Sequence, residues 1–138
     1  MNNDWGWGSP GTGVNSYDFS ARWLGQIQPQ FSESYTFYTV SDDGIRLWVN
    51  GQLLIDNWTY HGPTTDAASI TLNAGQKYDI MIEFFQGGGG SVAKLLWSSP
   101  STPQDVVPQS QLFSTGSTML GNGTGLFAQY FNSNDLSS

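Results

Sequence analysis

The feature that most constrains the fold is a hairpin signal inside Tyr35–Trp58, YTFYTVSDDGIRLWVNGQLLIDNW. Tyr35–Val40 and Ile45–Val49 are rich in β-branched and aromatic residues and therefore favour strands. Asn50-Gly51 follows directly, and this dipeptide indicates a type I′ turn because both central residues of such a turn need positive φ. The stretch therefore predicts two strands joined by a tight turn.

The returning strand is expected to cover Gln52–Asp56. A two-residue turn would place Trp48 opposite Leu53 and Leu47 opposite Leu54, so that cross-strand packing sets the register. We expect the resulting hairpin to be a rigid support for the residues at its mouth.

The rest of the chain consists of short alternating segments without convincing helical periodicity. Lys77–Phe85 has a clear apolar face, made of Tyr78, Ile80, Ile82 and Phe84. Its polar face carries Lys77, Asp79 and Glu83, and we expect Glu83 to face solvent. Turns rich in Gly and Pro separate the other strand candidates, which are Asp18–Gln28, Ser69–Leu72, Val92–Trp97 and Gln109–Phe113. This pattern predicts an all-β fold, an antiparallel β-sandwich.

Length and charge limit the class of protein. A chain of 138 residues without cysteine is long enough for one domain whose core needs no disulfides. Eleven acidic against four basic residues give a formal net charge of −7, which disfavours nucleic acid and anionic membranes as partners. No apolar run approaches the roughly 18 residues of a membrane-spanning helix. The sequence start lacks the features of a signal peptide, which leaves the compartment open.

The two ends differ from the body of the chain. Asn3–Ser16 is rich in Gly, Ser and Pro and predicts irregular structure, with Trp5 and Trp7 anchored on the core. We divide the chain into a sandwich body (1–113), a flexible linker (114–124) and a terminal segment (125–138) that contains the strand Gly125–Phe131. An apolar strand has to pair somewhere, because an exposed one is an aggregation hazard.

Asp42 and Asp43 form the pair of greatest chemical interest, and two interpretations stay open. A surface turn explains Asp-Asp-Gly by turn propensity and side-chain capping alone. Alternatively, two adjacent carboxylates held by flanking strands supply part of a calcium site. Calcium takes about six to eight oxygen ligands, so a second loop would have to contribute.

Gly87–Gly90 is the candidate for that second loop. Four glycines can simply form a loose hairpin tip. Next to Gln86, however, absent side chains would also let backbone oxygens approach an ion and leave room for a ligand.

Six segments resemble, in the same order, those of protective-antigen-like domains (the PA-fourteen module), over roughly Trp5–Phe113. They are Phe19–Trp23, Tyr35–Phe37, Ser41–Gly51, Ile55–Trp58, Ala74–Tyr78 and Ala93–Trp97. The resemblance implies a β-sandwich and, in many members, carbohydrate binding.

The lectin branch of this family implies a particular calcium site. There, two consecutive Asp residues joined by a cis peptide hold an ion that itself ligates sugar hydroxyls, and Asp42 and Asp43 match this pair. A second loop offers an amide and two backbone carbonyls, which fall on Gln86 and on about Gly88 and Gly90. Gln stands where the flocculin pattern has Asn, so no sugar specificity carries over.

The resemblance also bears on the tail. Family members begin with a strand similar to Gly125–Phe131, which here stands at the end of the chain, as in an offset or circularly permuted module. We therefore expect this strand to fill the first-strand position, either in its own molecule or in a neighbouring copy.

Catalysis is not expected. Glycoside hydrolysis needs two carboxylates facing each other at about 5 to 10 Å, whereas Glu33 and Glu83 lie in strand contexts without a catalytic signature. His61 lies in a polar loop without a nucleophile motif, which favours a surface or ligand-contact role. Trp58 and Tyr60 of the same loop could stack on a sugar, although packing against the hairpin is the other interpretation for Trp58.

The sequence thus predicts a calcium-dependent, lectin-like module of a larger secreted or cell-surface protein, with a glycan as partner. The expected metal ligands are Asp42, Asp43, Gln86, Gly88 and Gly90. The expected ligand contacts are Asp42, Asp43, Gln86, Trp58 and His61. The alternative is a non-catalytic spacer or assembly repeat that binds no sugar.

Overall fold

The computed structural model describes residues 2–114, 126–133 and 135–136 and consists of two antiparallel sheets. Within these ranges the strands are β1 (Asn2–Gly6), β2 (Phe19–Ile27), β3 (Glu33–Asp42), β4 (Ile45–Val49), β5 (Gln52–Asn57), β6 (Thr64–Leu72), β7 (Tyr78–Gln86), β8 (Ser91–Ser99), β9 (Thr102–Val106), β10 (Leu112–Phe113) and β11 (Phe127–Phe131). One sheet has the order β1-β8-β3-β6, with β9 also paired to β8. The other has the order β10-β2-β7-β4-β5, with β11 also paired to β2. The all-β sandwich is confirmed. The described residues contain no helix that could cross a membrane.

The core lies between the two sheets and is rich in aromatic side chains. Alternation along β7 buries Tyr78, Ile80, Ile82 and Phe84, as the sequence predicts. The other sheet contributes the fully buried rings of Tyr35, Phe37 and Trp97. Because burying each large apolar side chain stabilises the fold by about 1.5–3 kcal/mol, this interior fixes the strands that carry the site.

The hairpin forms as predicted at its turn. Asn50 has φ 52° and Gly51 has φ 74°, as a type I′ turn requires. Trp48 pairs with Leu53, but Leu47 pairs with Ile55, so the predicted pairing of Leu47 with Leu54 is wrong. A β-bulge at this point inserts one extra residue into β5 and shifts the register.

The solvent-facing position predicted for Glu83 is also wrong. Its side chain points to the outer face of the sheet but is only 8% exposed. Arg22 on β2 and Arg46 on β4 pair with Glu83 in register and cover it with their side chains. Arg22 binds Oε2 at 2.7 Å and Arg46 binds Oε1 at 3.1 Å.

The N-terminal segment is more regular than the sequence predicts. Asn2–Gly6 forms β1 and pairs with β8. Trp5 packs against the core and stacks on Trp23, with ring centroids 6.5 Å apart, as expected. Trp7 is not an anchor, since it is 80% exposed. Only Trp5 lies within the paired strand, which explains why the two tryptophans differ.

The terminal strand β11 pairs with β2 of its own chain, from Phe127↔Leu24 to Phe131↔Ser20. The side chain of Asn132 then accepts a hydrogen bond from the Asn15 amide and donates one to the Gly13 carbonyl. Apart from Ser114, the predicted linker lies outside the described residues, as does Gly125. The offset or permuted origin of this strand stays a prediction.

Candidate functional site

Three connections meet at one end of the sandwich. They are the β3–β4 turn at Asp43-Gly44, the β5–β6 loop (58–63) and the β7–β8 loop (87–90). The turn is held against the end of β7, because the Asp43 amide donates to the Phe85 carbonyl and the Phe85 amide donates to the Gly44 carbonyl. The peptide bond between Asp42 and Asp43 is cis, as the family resemblance implies.

The Asp43 carboxylate joins these connections. It is 6% exposed and accepts two backbone hydrogen bonds. The His61 amide donates to Oδ1 at 3.1 Å, and the Gly87 amide donates to Oδ2 at 2.8 Å. Since a carboxylate oxygen has two lone pairs, both oxygens retain the capacity to ligate a cation.

The pKa of Asp42 is raised by burial and by its position beside Asp43. It is half-buried at the end of β3, beside Asp43. Burial, followed by the charge and the hydrogen bond of Asp43, raises the pKa of Asp42 to about 6, against a smaller opposing effect of His61. Two carboxylates this close repel each other when both are ionised, and a shared cation would remove that repulsion.

Gln86, the last residue of β7, supplies a side-chain amide oxygen at the same end of the sandwich. Its side chain is fully buried, and its Nε2 donates to the Gly89 carbonyl at 2.9 Å. Its Oε1 is buried and has no hydrogen-bond partner in the described structure. A buried oxygen without a hydrogen-bond partner lowers the stability of the fold by about 1–3 kcal/mol, so a bound group that pairs with Oε1 would be favourable.

The glycine loop follows directly. The Gly87 carbonyl accepts from the Asp18 amide, and the Gly89 carbonyl accepts from Gln86. The predicted carbonyl ligands, Gly88 and Gly90, are the alternate residues of the loop, the first exposed and the second half-buried. Their role as ligands stays a prediction.

The donor set fits calcium. No group of three His, Cys, Asp or Glu side chains that could hold a metal occurs among residues 2–114, 126–133 and 135–136. The nitrogen- and sulfur-rich ligand set typical of zinc is therefore not present in this part of the chain. Two carboxylates, one amide oxygen and nearby backbone carbonyls are the hard oxygen donors that calcium takes. The unpaired Oε1 of Gln86 is the observation in favour of this fit.

His61 presents a hydrogen-bond acceptor near the pair. Its Nδ1 lies 2.7 Å from the Gly62 carbonyl, which only accepts, so Nδ1 carries the hydrogen. In the neutral ring Nε2 then has a free lone pair, and this atom is buried without a partner in the described structure. A buried acceptor left without a partner is unfavourable, as it is for Oε1 of Gln86.

Trp58 has a packing role in this structure. The Arg46 guanidinium lies 3.9 Å from the centroid of its ring, and the Phe85 ring centroid lies 4.8 Å away. These contacts agree with packing against the hairpin, and a contact with ligand stays a prediction.

The two glutamates have partners in separate sheets. Glu83 binds the two arginines on its own sheet, and Glu33 accepts a hydrogen bond of 2.7 Å from the Ser101 amide beside the other sheet. They do not face each other as the paired carboxylates of a glycosidase do.

The sequence analysis did not identify every residue of this site. The amides of His61 and Gly87 hold Asp43, and backbone groups leave no signal in residue type. Trp7 lies near the loop, with Cη2 3.9 Å from where a Cβ on Gly89 would stand. The only sequence signal for Trp7 is its position between two glycines, and this signal fits a residue anchored on the core as well as it fits an exposed residue beside the loop.

Comparison with known proteins gives the family. The PA14 domain model matches residues 1–111, and the chain belongs to the PA14 domain family. It is 45% identical over 134 residues to anti-sigma-I factor RsgI3 of Acetivibrio thermocellus, a match that covers 96% of this chain and 21% of that protein. This chain thus spans about a fifth of the length of that curated relative.

Solved structures agree with the family assignment. An anti-sigma factor domain-containing protein superposes with a TM-score of 0.83 at 44% identity, covering 87% of this chain and 42% of that chain. A PA14 sugar-binding domain from an RTX adhesin superposes with a TM-score of 0.54 at 22% identity, covering 62% of this chain and 48% of that chain. This second match shows the shared fold alone.

Proposed function

We propose that this chain is a calcium-dependent carbohydrate-binding module. The observation that carries the proposal is the buried, unpaired Oε1 of Gln86, next in the chain to the glycine whose amide binds Asp43. The raised pKa of Asp42 supports it, because burial and the neighbouring Asp43 carboxylate both disfavour the charged form of Asp42. An oxygen without a partner and a repelling carboxylate pair are both relieved by one hard cation.

The ligands of the ion would be Asp42, Asp43 and Gln86, with the carbonyls of Gly88 and Gly90. When bound, calcium supplies open coordination positions for sugar hydroxyls. The chain's own residues do the rest. Asp43 holds two loops in place through its backbone partners, and His61, on one of these loops, is the expected ligand contact.

The similarity to an anti-sigma-I factor, of which this chain matches about a fifth, bears on the kind of protein that contains the module. We propose that it is one part of a longer regulatory protein and lies outside the cell, where glycans and calcium are both available. The RTX adhesin domain, named as sugar-binding, shares only the fold and adds no residue-level support.

Calorimetry with a panel of mono- and disaccharides, in calcium and in chelator, tests the proposal. We expect binding in calcium that disappears in chelator and in the Asp42→Asn variant. Asp79→Asn is the matched control, because Asp79 is an exposed carboxylate on β7, far along the strand from Gln86. The alternative, a spacer or assembly repeat, predicts no heat of binding with any glycan under either condition.

A further inference from the structure

Two exposed aromatic side chains flank the glycine loop. Trp7 is 80% exposed and Tyr60 is 70% exposed, the two highest values among the large hydrophobic residues that the structure describes as exposed. Trp5 and Trp58 lie close to them in sequence but pack against other rings. Large aromatic side chains left in solvent beside a candidate site are typical of a binding surface.

Tyr60 is exposed but firmly placed. Its ring lies against Gly87, so that a Cβ at this position would collide with Tyr60 ring carbons. Its ring also meets Phe85 edge to face, with centroids 5.1 Å apart. The next residue, His61, binds Asp43 through its amide. The Tyr60 ring is therefore placed by two residues that bind Asp43. It lies against Gly87, and it precedes His61 in the chain.

Trp7 stands beside the same loop, on the side of β1. It follows Gly6, which pairs with Ser91 at the start of β8. Its Cη2 lies 3.9 Å from where a Cβ on Gly89 would stand. The two aromatic residues thus lie beside loop positions only two residues apart, at most about 7 Å along the backbone. Glycines between them leave the floor free of side chains.

We propose that Trp7 and Tyr60 are the walls of a trench whose floor is the glycine loop, and that the trench takes a glycan chain rather than a single terminal sugar. The inference rests on the proposed calcium site. One ion ligates the hydroxyls of one sugar unit, so aromatic faces beside the loop serve the units on either side of it. Aromatic rings pack well on the apolar faces of sugars. The net charge of −7 favours a neutral polymer over an acidic one.

The test begins with the wild-type protein and neutral polymers. Affinity electrophoresis in calcium, in gels containing mannan, galactomannan or arabinoxylan, identifies a polymer that retards it. Calorimetry then measures the mono- and tetrasaccharide of that polymer. We expect the wild type to bind the tetrasaccharide more tightly. Trp7→Ala and Tyr60→Ala should each lower tetrasaccharide affinity about tenfold, with little change in monosaccharide or calcium affinity.

Two variants serve as controls. Tyr60→Phe keeps the ring and should retain wild-type affinity. Phe31→Ala removes an exposed aromatic side chain before β3, at the opposite end of that strand from Asp42, and should also bind as the wild type does. Melting temperatures of all variants establish that each is folded.

Each other outcome contradicts the trench. If the wild type binds the polymer and both alanine variants bind the tetrasaccharide equally well, the trench is wrong and the calcium site survives. Equal loss of mono- and tetrasaccharide binding would assign the rings a structural role instead. A wild-type dimer that Trp7→Ala converts to a monomer in sedimentation would assign the surface to a protein contact. If no polymer retards the wild type in calcium but a mono- or disaccharide still binds, the trench is wrong and the calcium site survives. If neither polymer nor small sugar binds, the proposed function fails as well.

Discussion

The backbone amide of Gly87 donates a hydrogen bond of 2.8 Å to Oδ2 of Asp43, across 44 positions of sequence. The other oxygen of this carboxylate accepts from the His61 amide. Asp43 therefore holds the glycine loop and the β5–β6 loop in place through bonds within the protein itself. Asp42 has no such structural task among its described contacts, and it bears the electrostatic cost of the pair. The two adjacent carboxylates thus have different roles.

Substitution of the two residues should separate these roles in chelator at neutral pH. Asp43→Asn leaves only one acceptor atom for two backbone donors, so the free energy of unfolding should fall by about 1–3 kcal/mol. Asp42→Asn removes a charge that burial and Asp43 disfavour, so stability should stay equal or rise. Urea unfolding of both variants measures the difference. A larger loss in Asp42→Asn than in Asp43→Asn would contradict the assignment.

The stability of the calcium-free protein should depend on pH through Asp42. Its pKa in the folded state is about 6, above the ordinary 3.8, so the folded protein holds this proton more tightly than the unfolded chain. The resulting stabilisation is fully present below about pH 3.8 and is lost as the pH rises through about 6. Asp43 and His61 are the ionisable groups that act on Asp42.

The measurement is the difference in unfolding free energy between the wild type and Asp42→Asn, in chelator, from pH 7.5 to pH 4.5. The difference should move in favour of the wild type as the pH falls. Calcium competes with the same proton, so apparent calcium affinity should fall about tenfold per pH unit below pH 6. Parallel stability curves for the two proteins would count against this role of Asp42.

Glu83 should be a stability residue rather than a functional one. Glu83→Gln weakens the contacts to Arg22 and Arg46 and leaves both arginines without their buried anion. Since the arginine side chains remain about 30% exposed, we expect a loss of about 2–4 kcal/mol, near the lower end for a buried pair. Asp79→Asn, on the same strand and face but exposed, should change stability by less than about 0.5 kcal/mol. Equal melting temperatures for Glu83→Gln and Asp79→Asn would contradict a stabilising role of Glu83.

The terminal strand should be an integral part of the sandwich. Truncation before Gly125 removes β11 and the hydrogen bonds of Asn132, and it uncovers the edge of β2. We expect the free energy of unfolding to fall by about 3 kcal/mol or more, because backbone pairing and the packing of Leu126 and Ala128 are lost together. Asn132→Ala is the milder control, since β11 itself remains.

Sedimentation of the intact chain tests where this strand pairs. A monomer at all concentrations agrees with pairing in its own chain. A dimer that the truncation abolishes would instead indicate exchange between copies. A truncated chain as stable as the intact one would refute the structural role of β11.

Local signals in the sequence predicted the features that depend on neighbouring residues. Asn50-Gly51 gave the turn because its positive φ values are a property of two residues. The alternation in β7 gave the buried face. The burial of Glu83 depends on Arg22, 61 positions away, so periodicity could not predict it. The β-bulge beside Leu47 lies within the hairpin itself, but residue type does not show where an extra residue is inserted.

The site was predictable in part. Residue type and family resemblance together selected Asp42, Asp43 and Gln86 as candidates, and their role as metal ligands stays a prediction. The backbone donors to Asp43, and the positions of Trp7 and Tyr60 beside the glycine loop, arise only when three loops meet. Alternation in so short a strand as β1 does not predict that Trp5 packs against the core while Trp7 is exposed, because tertiary contacts decide it.

The most direct test of the calcium site is the melting temperature of the wild type as free calcium is raised from chelator to about 10 mM, above the roughly 1 mM dissociation constants of weak extracellular modules. At this tenfold excess over the dissociation constant, calcium should add about 1.4 kcal/mol to the free energy of unfolding, or about 5 °C in melting temperature. Asp42→Asn should show no such rise. A wild-type melting temperature that stays flat across the titration, or an equal rise in Asp42→Asn, would contradict calcium binding by Asp42, Asp43 and Gln86.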